Sequence, residues 1–300
     1  MKSRPVFWLI FFASGWLINR GVSLGADKES LRRVLDSEIK ASGVEVCLAF
    51  KDLGTGATVF INEKEMLHAA STMKVPVMIE VFRQAEAGKL RLDDRLPLKN
   101  EFHSLVDGSL FSLKEEDDSD KAIYALAGQE MSVRELVERM ITLSSNFATN
   151  ILIDLVRAKN VMATLQELEI RRMEVLRGVE DSLAHERGLN NRTDAYDLML
   201  VMEAIAEGKA ASGPSCQEMV RILLKQTFRS GLPAGVPENV PVGNKTGSIT
   251  GMEHDAAIVF PPGRKPYILA VLTRGLKSGE EGEKLIARLS RLVYEEVAGK

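Results

Sequence analysis

Residues 71–74 read Ser-Thr-Met-Lys and stand at the head of an apolar stretch. In a helix, side chains three residues apart lie on one face, with their β-carbons roughly 5–6 Å apart. Lys74, if its amine is held neutral, can therefore take the proton of the Ser71 hydroxyl, which is the activation that a weak nucleophile needs. The same four residues are also typical of a plain helix N-terminus with a solvated lysine. Other motifs in the chain are needed to distinguish a catalytic pair from a plain helix N-terminus.

Two further motifs follow in order along the chain. Ser144-Ser145-Asn146 lies in a helical region, and Lys245-Thr246-Gly247-Ser248 opens a strand pattern. Ser-x-x-Lys, Ser-Asp-Asn and Lys-Thr-Gly together are the signature of class A β-lactamases and penicillin-binding proteins. The chain resembles this superfamily over nearly its whole mature length, including the flanks 131–136 and 148–150 of the second motif. It departs from the pattern at Ser145, which replaces an Asp that supports the loop in the family.

The resemblance implies a serine hydrolase mechanism with a covalent intermediate. Ser71 is the nucleophile, Lys74 is its base, and Ser144 relays a proton to the leaving nitrogen. The residues agree with this, because a second cation at Lys245 and partial desolvation both lower the pKa of a lysine such as Lys74.

The resemblance also implies the substrate contacts. Asn146 holds Lys74 and an amide oxygen of the substrate, while Lys245, Thr246 and Ser248 bind its carboxylate. The backbone N–H groups of Ser71 and Ser248 form the oxyanion hole, in which one donor is worth about 10²–10³ in rate.

His254 follows on the next strand, roughly where many class A enzymes put an arginine facing the substrate carboxylate. We predict that it binds substrate, with affinity falling as pH rises through about 6.5. A hydrogen-bonded turn histidine is the alternative.

Two glutamates compete to activate the water that releases the acyl-enzyme. Glu180 follows Ser144 at the family spacing, but Ala184 stands where the water-holding Asn is expected. Glu186 begins a Glu-x-x-Leu-Asn pattern, yet it comes late in the loop. We assign Glu180, with Glu186 or neither left open.

Hydrophobic periodicity predicts strands near both ends of the chain and helices between them. The predicted helices are 28–42, 71–87, 132–142, 146–158, 161–169, 193–207, 215–226 and 279–297, and the strands include 44–52, 57–62, 255–260 and 267–273. This order predicts an α/β (α+β) fold of the β-lactamase/transpeptidase-like type: an antiparallel sheet flanked by N- and C-terminal helices, plus an inserted all-helical subdomain. We expect one catalytic domain, 26–300, with an α/β lobe at about 26–66 and 214–300 and a helical lobe at about 67–213. The acidic segment 114–120 is expected to be a solvated surface turn.

Composition narrows the range of partners. The chain has 300 residues, of which 45% are hydrophobic and 27% charged, and this is enough for a well-formed core. A net charge of -3 with no basic cluster argues against nucleic acid and favours a small-molecule substrate. No zinc-spaced cluster of Cys or His is present, so we expect no metal and, by resemblance, no cofactor. We expect Cys47 and Cys216 to stay unpaired and the protein to be a monomer.

The N-terminus has the pattern of a secretory signal. Lys2 and Arg4 precede the apolar run 6–18, and small residues follow at 23–25. Residues 1–25 are therefore a predicted signal peptide, and the mature protein is expected to be secreted or periplasmic without stable membrane insertion. An uncleaved anchor is the alternative, although the run is shorter than a span of about 20 residues.

The sequence thus predicts a serine β-lactamase that opens the β-lactam ring by acylation of Ser71 and hydrolysis of the acyl-enzyme, with a role in antibiotic resistance. One alternative is a D-Ala-D-Ala carboxypeptidase or esterase on the same scaffold. Another is a penicillin-binding sensor that acylates and does not turn over.

Overall fold

The computed structural model describes the backbone of residues 24–299 and side chains from Glu29 onward. The described strands, in chain order, are β1 (Glu45–Asp52), β2 (Thr58–Ile61), β3 (Leu67–His68), β4 (Arg95–Pro97), β5 (Phe102–His103), β6 (Leu110–Phe111), β7 (Glu130–Ser132), β8 (Arg192–Thr193), β9 (Val242–Ile249), β10 (Met252–Val259) and β11 (Tyr267–Arg274). The described α-helices are α1 (Leu24–Ser42), α2 (Lys74–Glu86), α3 (Val133–Thr142), α4 (Asn146–Val156), α5 (Ala158–Glu167), α6 (Ser182–Glu186), α7 (Ala195–Ala206), α8 (Gly213–Leu224) and α9 (Gly279–Ala298). Short 3₁₀ helices cover Ala70–Met73, Glu115–Asp117, Lys121–Leu126 and Leu232–Gly235.

One sheet joins the two ends of the described chain. Its strand order is β2-β1-β11-β10-β9, and every neighbouring pair is antiparallel. β1 pairs with β11 along its whole length, from Glu45 opposite Arg274 to Asp52 opposite Tyr267. The predicted antiparallel sheet assembled from distant segments is therefore confirmed.

The sheet is buried on both faces because its strands are apolar on both sides. Successive side chains of a strand point to opposite faces. Along β1, Val46 and Leu48 pack with Leu289 of α9 in one core, whereas Ala49 packs with Met199 of α7 in the other. The terminal helices α1 and α9 thus cover one face, and the helices inserted between β2 and β9 cover the other.

The helix and strand bounds follow the periodicity closely, with some differences. β9 begins at Val242, ahead of the Lys-Thr-Gly motif, and the short helix α6 was not predicted. Cys47 and Cys216 are both buried and free.

The predicted signal, residues 1–25, lies almost entirely outside the described residues. Within the part of the chain that the structure describes, no helix is both long and apolar enough to cross a membrane.

Candidate active site

Ser71 lies in a 3₁₀ turn that leads directly into α2. The turn spans Ala70–Met73, and the backbone N–H of Lys74 donates to the Ser71 carbonyl. Ala70 has a φ of 46°, a left-handed conformation that a residue with a β-carbon adopts at a cost. Ser71 is thereby presented at the wall of a cavity of about 890 Å³.

Lys74 is completely buried beneath this cavity. Its Nζ donates to the Ser144 carbonyl at 2.5 Å and to Asn146 Oδ1 at 2.8 Å, and it lies 3.3 Å from Ser144 Oγ. Burial first, and then the neighbouring Lys245 cation, lower the pKa of Lys74 well below its ordinary value. The structure thus gives Lys74 the surroundings that a neutral lysine base needs.

The Ser144 hydroxyl stands between two lysines. Lys245 Nζ donates to Ser144 Oγ at 3.0 Å and to the Thr246 carbonyl at 2.9 Å. Lys245 is also fully buried, and burial lowers its pKa to about 7 despite the nearby Asp255. Ser144 has a φ of 57°, which turns the chain sharply just before α4. A proton can pass through this hydroxyl from either lysine to a bound substrate.

β9 brings the third motif against the nucleophile. It is an edge strand of the sheet, and Gly247 lies close to the backbone of Ser71. Thr246 and Ser248, on either side of Gly247, line the cavity together with Ser71, Ser144 and Asn146. The structure therefore brings the three motifs to a single cavity.

Glu180 and Glu186 both line this cavity, but Glu180 lies beside Asn146. Asn146 Nδ2 lies 3.4 Å from Glu180 Oε1 and 3.4 Å from the Asp117 carbonyl oxygen. The pKa of the Glu180 carboxyl is raised, first by desolvation and then by the nearby Asp117 carboxylate. Glu186 ends α6 and is exposed.

Asn150 of α4 determines where the Glu180 loop runs. Its Oδ1 accepts from the Val179 N–H at 2.7 Å, and its Nδ2 donates to the Val179 carbonyl at 3.0 Å. A β-carbon at Gly178 would lie 2.3 Å from Asn150 Oδ1, so glycine is needed there. This clamp acts immediately before Glu180. The sequence offered a signal for it, because Asn150 belongs to the flank of the second motif.

The acidic segment 114–120 is exposed at residues 114–117 and at Ser119, as the charge pattern predicted, but two of its carboxylates are buried. Asp118 is 3% exposed, and its Oδ2 accepts from the Phe147 N–H at 2.9 Å and from the Tyr124 hydroxyl at 3.1 Å. Asp120 is equally buried and pairs with Arg139. Periodicity could not reveal this, because the carboxylates are satisfied by groups that are distant in sequence.

Asp118 supplies a carboxylate at the place where the second motif lacks one. Ser145 N-caps α4 through its hydroxyl, which accepts from the Ala148 N–H at 3.3 Å. The Phe147 N–H in the same helical turn donates instead to Asp118. Two partners thus share the free N–H groups at this helix start.

The structure does not place His254 at the cavity, where the predicted role in substrate binding would need it. His254 is 0% exposed. Its Nδ1 accepts from the Thr273 N–H at 3.2 Å, so Nε2 carries the proton and donates to the His68 carbonyl at 2.9 Å. Burial lowers its pKa. His254 instead anchors the backbone just before Ser71, and the adjacent Glu253 is the residue that lines the cavity.

Comparison with known proteins shows the family of the chain. The model of the beta-lactamase enzyme family matches residues 28–297. The chain belongs to that family. It is 29% identical over 228 residues to the beta-lactamase AST-1 of Nocardia asteroides, covering 68% of this chain and 73% of the relative.

Solved structures of the family have the same fold. The ancestral class A beta-lactamase of the last common ancestor of Gram-negative bacteria superposes with a TM-score of 0.76 and 27% identity, covering 88% of this chain and 99% of the other. A protein named PBP-A gives a TM-score of 0.78 at 24% identity, with 90% and 97% covered, and this likeness concerns the fold alone. The predicted family, fold class and serine β-lactamase-type enzyme are confirmed.

No group of three or more His, Cys, Asp or Glu side chains in the described residues is arranged to hold a metal ion.

Proposed function

We propose that this protein is a secreted β-lactamase that works through an acyl-Ser71 intermediate. The observation that carries the proposal is the pair of contacts made by Ser144, whose hydroxyl accepts from Lys245 at 3.0 Å and lies 3.3 Å from Lys74 Nζ. The catalytic roles of Ser71, Lys74, Ser144 and Glu180 are part of the proposal. So are the substrate contacts of Asn146, Lys245, Thr246 and Ser248.

Acylation begins with neutral Lys74. The Ser71 oxygen attacks the β-lactam carbonyl carbon while its proton passes to Lys74. The backbone N–H groups of Ser71 and Ser248 stabilise the oxyanion. The ring C–N bond then breaks, and the nitrogen takes a proton through the Ser144 hydroxyl. Burial of Lys74 supports this step, because the lowered pKa keeps a larger fraction of the amine neutral near physiological pH.

Deacylation needs a base for water, and we assign this role to Glu180. A water molecule gives a proton to Glu180 and attacks the ester carbonyl, and Ser71 leaves with a proton. Asn146 Nδ2 lies 3.4 Å from Glu180 Oε1, and Oδ1 of the same Asn146 side chain accepts from Lys74. Asn146 thus connects Glu180 to the acylation residues, and this supports the assignment. The raised pKa of Glu180 also suits a proton acceptor.

Slow release of the acyl group is the competing possibility, and one residue favours it. Ala184 replaces the water-holding amide of the family and is completely buried. A poorly held water would leave Ser71 acylated, as in a penicillin-binding protein or sensor.

Turnover and intact mass separate these functions. We expect the mature protein to hydrolyse a chromogenic cephalosporin and a penicillin repeatedly, with Ser71→Ala forming no adduct. Glu180→Gln should accumulate an acyl adduct, whereas the matched change Glu186→Gln should turn over normally. A persistent adduct on the unaltered protein would indicate a penicillin-binding protein or sensor. Absence of both adduct and product would exclude the β-lactam substrate.

Export and oligomeric state belong to the same proposal. The basic and apolar pattern of residues 1–25 supports cleavage and release into the periplasm or medium. We propose that the mature chain acts as a monomer that is not inserted in the membrane. N-terminal sequencing of the exported protein and its mass in solution test both points.

A further inference from the structure

Glu253 is a buried carboxylate in the cavity wall without a part in the catalytic steps of acylation and deacylation. It lies on β10 directly opposite Ser248 on β9 and is 7% exposed. A β-carbon at Gly282 would come within 2.6 Å of Glu253 Cβ, so α9 packs directly on this residue. Gly279, at the start of α9, lies close to Glu253 Oε2. The carboxyl group is therefore enclosed between Ser248 and the first turn of α9.

The charges around Glu253 are mainly negative. Glu280 and Glu283 of α9 line the same end of the cavity, and Glu280 is paired with Lys284 at 2.6 Å. Asp255, on the same face of β10, is buried and accepts from Asn244 and from the Leu232 N–H. Lys245 is the cation that acts on Glu253, and its Nζ is already bound to Ser144 and Thr246. Thr273 contributes a hydroxyl bound to the Glu253 backbone.

We propose that Glu253 selects substrates by charge at the Ser248 end of the cavity, admitting a substrate carboxylate when protonated and repelling it when ionised. This inference rests on the proposed function, because it assumes an acyl donor bound along β9 with its carbonyl at Ser71. Thr246 and Ser248 then face the next group of the substrate. An anionic group there meets Glu253, while a neutral group does not experience the repulsion.

The change of protonation falls near neutral pH. Burial raises the pKa of Glu253 to about 7, with Glu283 and Asp255 acting in the same direction and the Ser248 hydrogen bond and Lys245 opposing them. Below that value the carboxyl O–H can donate to a substrate carboxylate. Above it, two like charges face each other, and each disfavours the other at close range.

A matched pair of acyl donors tests the proposal. A chromogenic cephalosporin with its free ring carboxylate is compared with its methyl ester, and the second-order rate constant for acylation of Ser71 is measured for each. The ratio of the two constants cancels the titration of the catalytic base. We expect the carboxylate-to-ester ratio to fall about tenfold between about pH 6 and about pH 8.

The variant Glu253→Gln distinguishes the contribution of Glu253 to the pH dependence from that of Lys245, whose pKa also lies at about 7. Loss of the Glu253 charge removes the repulsion, so the ratio at about pH 8 should rise about tenfold. If Lys245 alone caused the pH dependence, the same variant would leave the ratio unchanged or lower it, because Glu253 helps to keep Lys245 charged. At about pH 8, where Glu253 is already ionised, Glu283→Gln should raise the ratio by a smaller factor, because it removes one nearby negative charge.

Glu281→Gln is the matched control. Glu281 is in the first turn of α9, but its Oε2 accepts from the Lys277 N–H, and it does not line the cavity. The carboxylate-to-ester ratio of the Glu281→Gln variant should equal that of the unaltered protein. A ratio that is independent of pH and unchanged in Glu253→Gln would overturn the inference even if both donors acylate Ser71. If neither donor acylates Ser71, the proposed function itself has failed.

Discussion

Gly247 lies directly against the backbone nitrogen of Ser71: a β-carbon at Gly247 would stand 3.0 Å from that nitrogen and 3.1 Å from the Ala70 β-carbon. The glycine of the third motif is thus a packing requirement between β9 and the nucleophile turn. It keeps the N–H groups of Ser71 and Ser248 on two elements that are in contact, so one oxyanion can bind both.

Gly247→Ala should therefore damage acylation more than stability. The added methyl group displaces β9 from Ser71 by a few tenths of an ångström, and we expect the acylation rate to fall about 10- to 100-fold. Stopped-flow acylation and thermal unfolding measure the two effects. Gly243→Ala, on the same strand as Gly247, is the control, because its β-carbon would lie 3.1 Å from Leu223 Cβ of α8, away from Ser71. Equal loss of acylation in both variants would contradict this explanation.

Lys245 should control the pH at which Lys74 becomes an active base. Burial and the Lys245 cation both lower the pKa of Lys74. Lys245→Gln removes the cation, so the pKa of Lys74 rises and less of it is neutral at a given pH. The acidic limb of the acylation profile should then move to higher pH, and the rate at a fixed pH on that limb should fall about tenfold when the pKa of Lys74 rises by about one. Both variants are measured with the methyl ester donor. Lys245→Arg keeps the cation and should leave the acidic limb in place. An acidic limb that does not move in Lys245→Gln would contradict the coupling between Lys245 and the pKa of Lys74.

Asp118 should position the second motif. Asp118→Ala leaves the Phe147 N–H without its acceptor, which we expect to cost about 1–3 kcal/mol of unfolding free energy and to slow acylation. Adding Ser145→Asp to this variant should restore much of the lost unfolding free energy and of the acylation rate, because it returns a carboxylate to the N-terminus of α4. Asp120→Ala, which removes an equally buried carboxylate paired with Arg139, should not be rescued by Ser145→Asp. Failure of the rescue in Asp118→Ala would show that the two carboxylate positions are not equivalent.

His254 should affect stability without setting the pH dependence of substrate binding. His254→Phe removes the donor to the His68 carbonyl and the acceptor of the Thr273 N–H, which we expect to cost about 2–4 kcal/mol for two buried groups. Because burial lowers the pKa of His254, the neutral ring is favoured, and the KM profile should keep its shape. Denaturant unfolding and KM against pH test this, with the exposed His185→Gln as control. A flattened KM profile in His254→Phe alone would restore a substrate role.

The Ser71–Lys74 pair and the three motifs were predictable because each depends on local spacing or on a short ordered pattern. Strand and helix positions were predictable for the same reason, since periodicity of 2 or 3.6 is a local property. Asp118 was misassigned because a run of acidic residues is normally solvated, and its partners Phe147 and Tyr124 are supplied by other segments. The Asn150 clamp on Val179 likewise depends on how α4 meets the loop.

The sequence by itself determined the family and the antiparallel sheet closed by both ends of the chain, and it predicted Ser71 and Lys74 as nucleophile and base. Only the tertiary structure decided which residue of β10 lines the cavity. His254 and Glu253 are neighbours, so a strand register shifted by one residue would exchange them between the core and the cavity. Pairing of β10 with β9 and β11 fixes that register, with Glu253 opposite Ser248 and His254 opposite Leu272. A pH-sensitive contact expected of the histidine therefore belongs, by our inference, to the adjacent carboxylate.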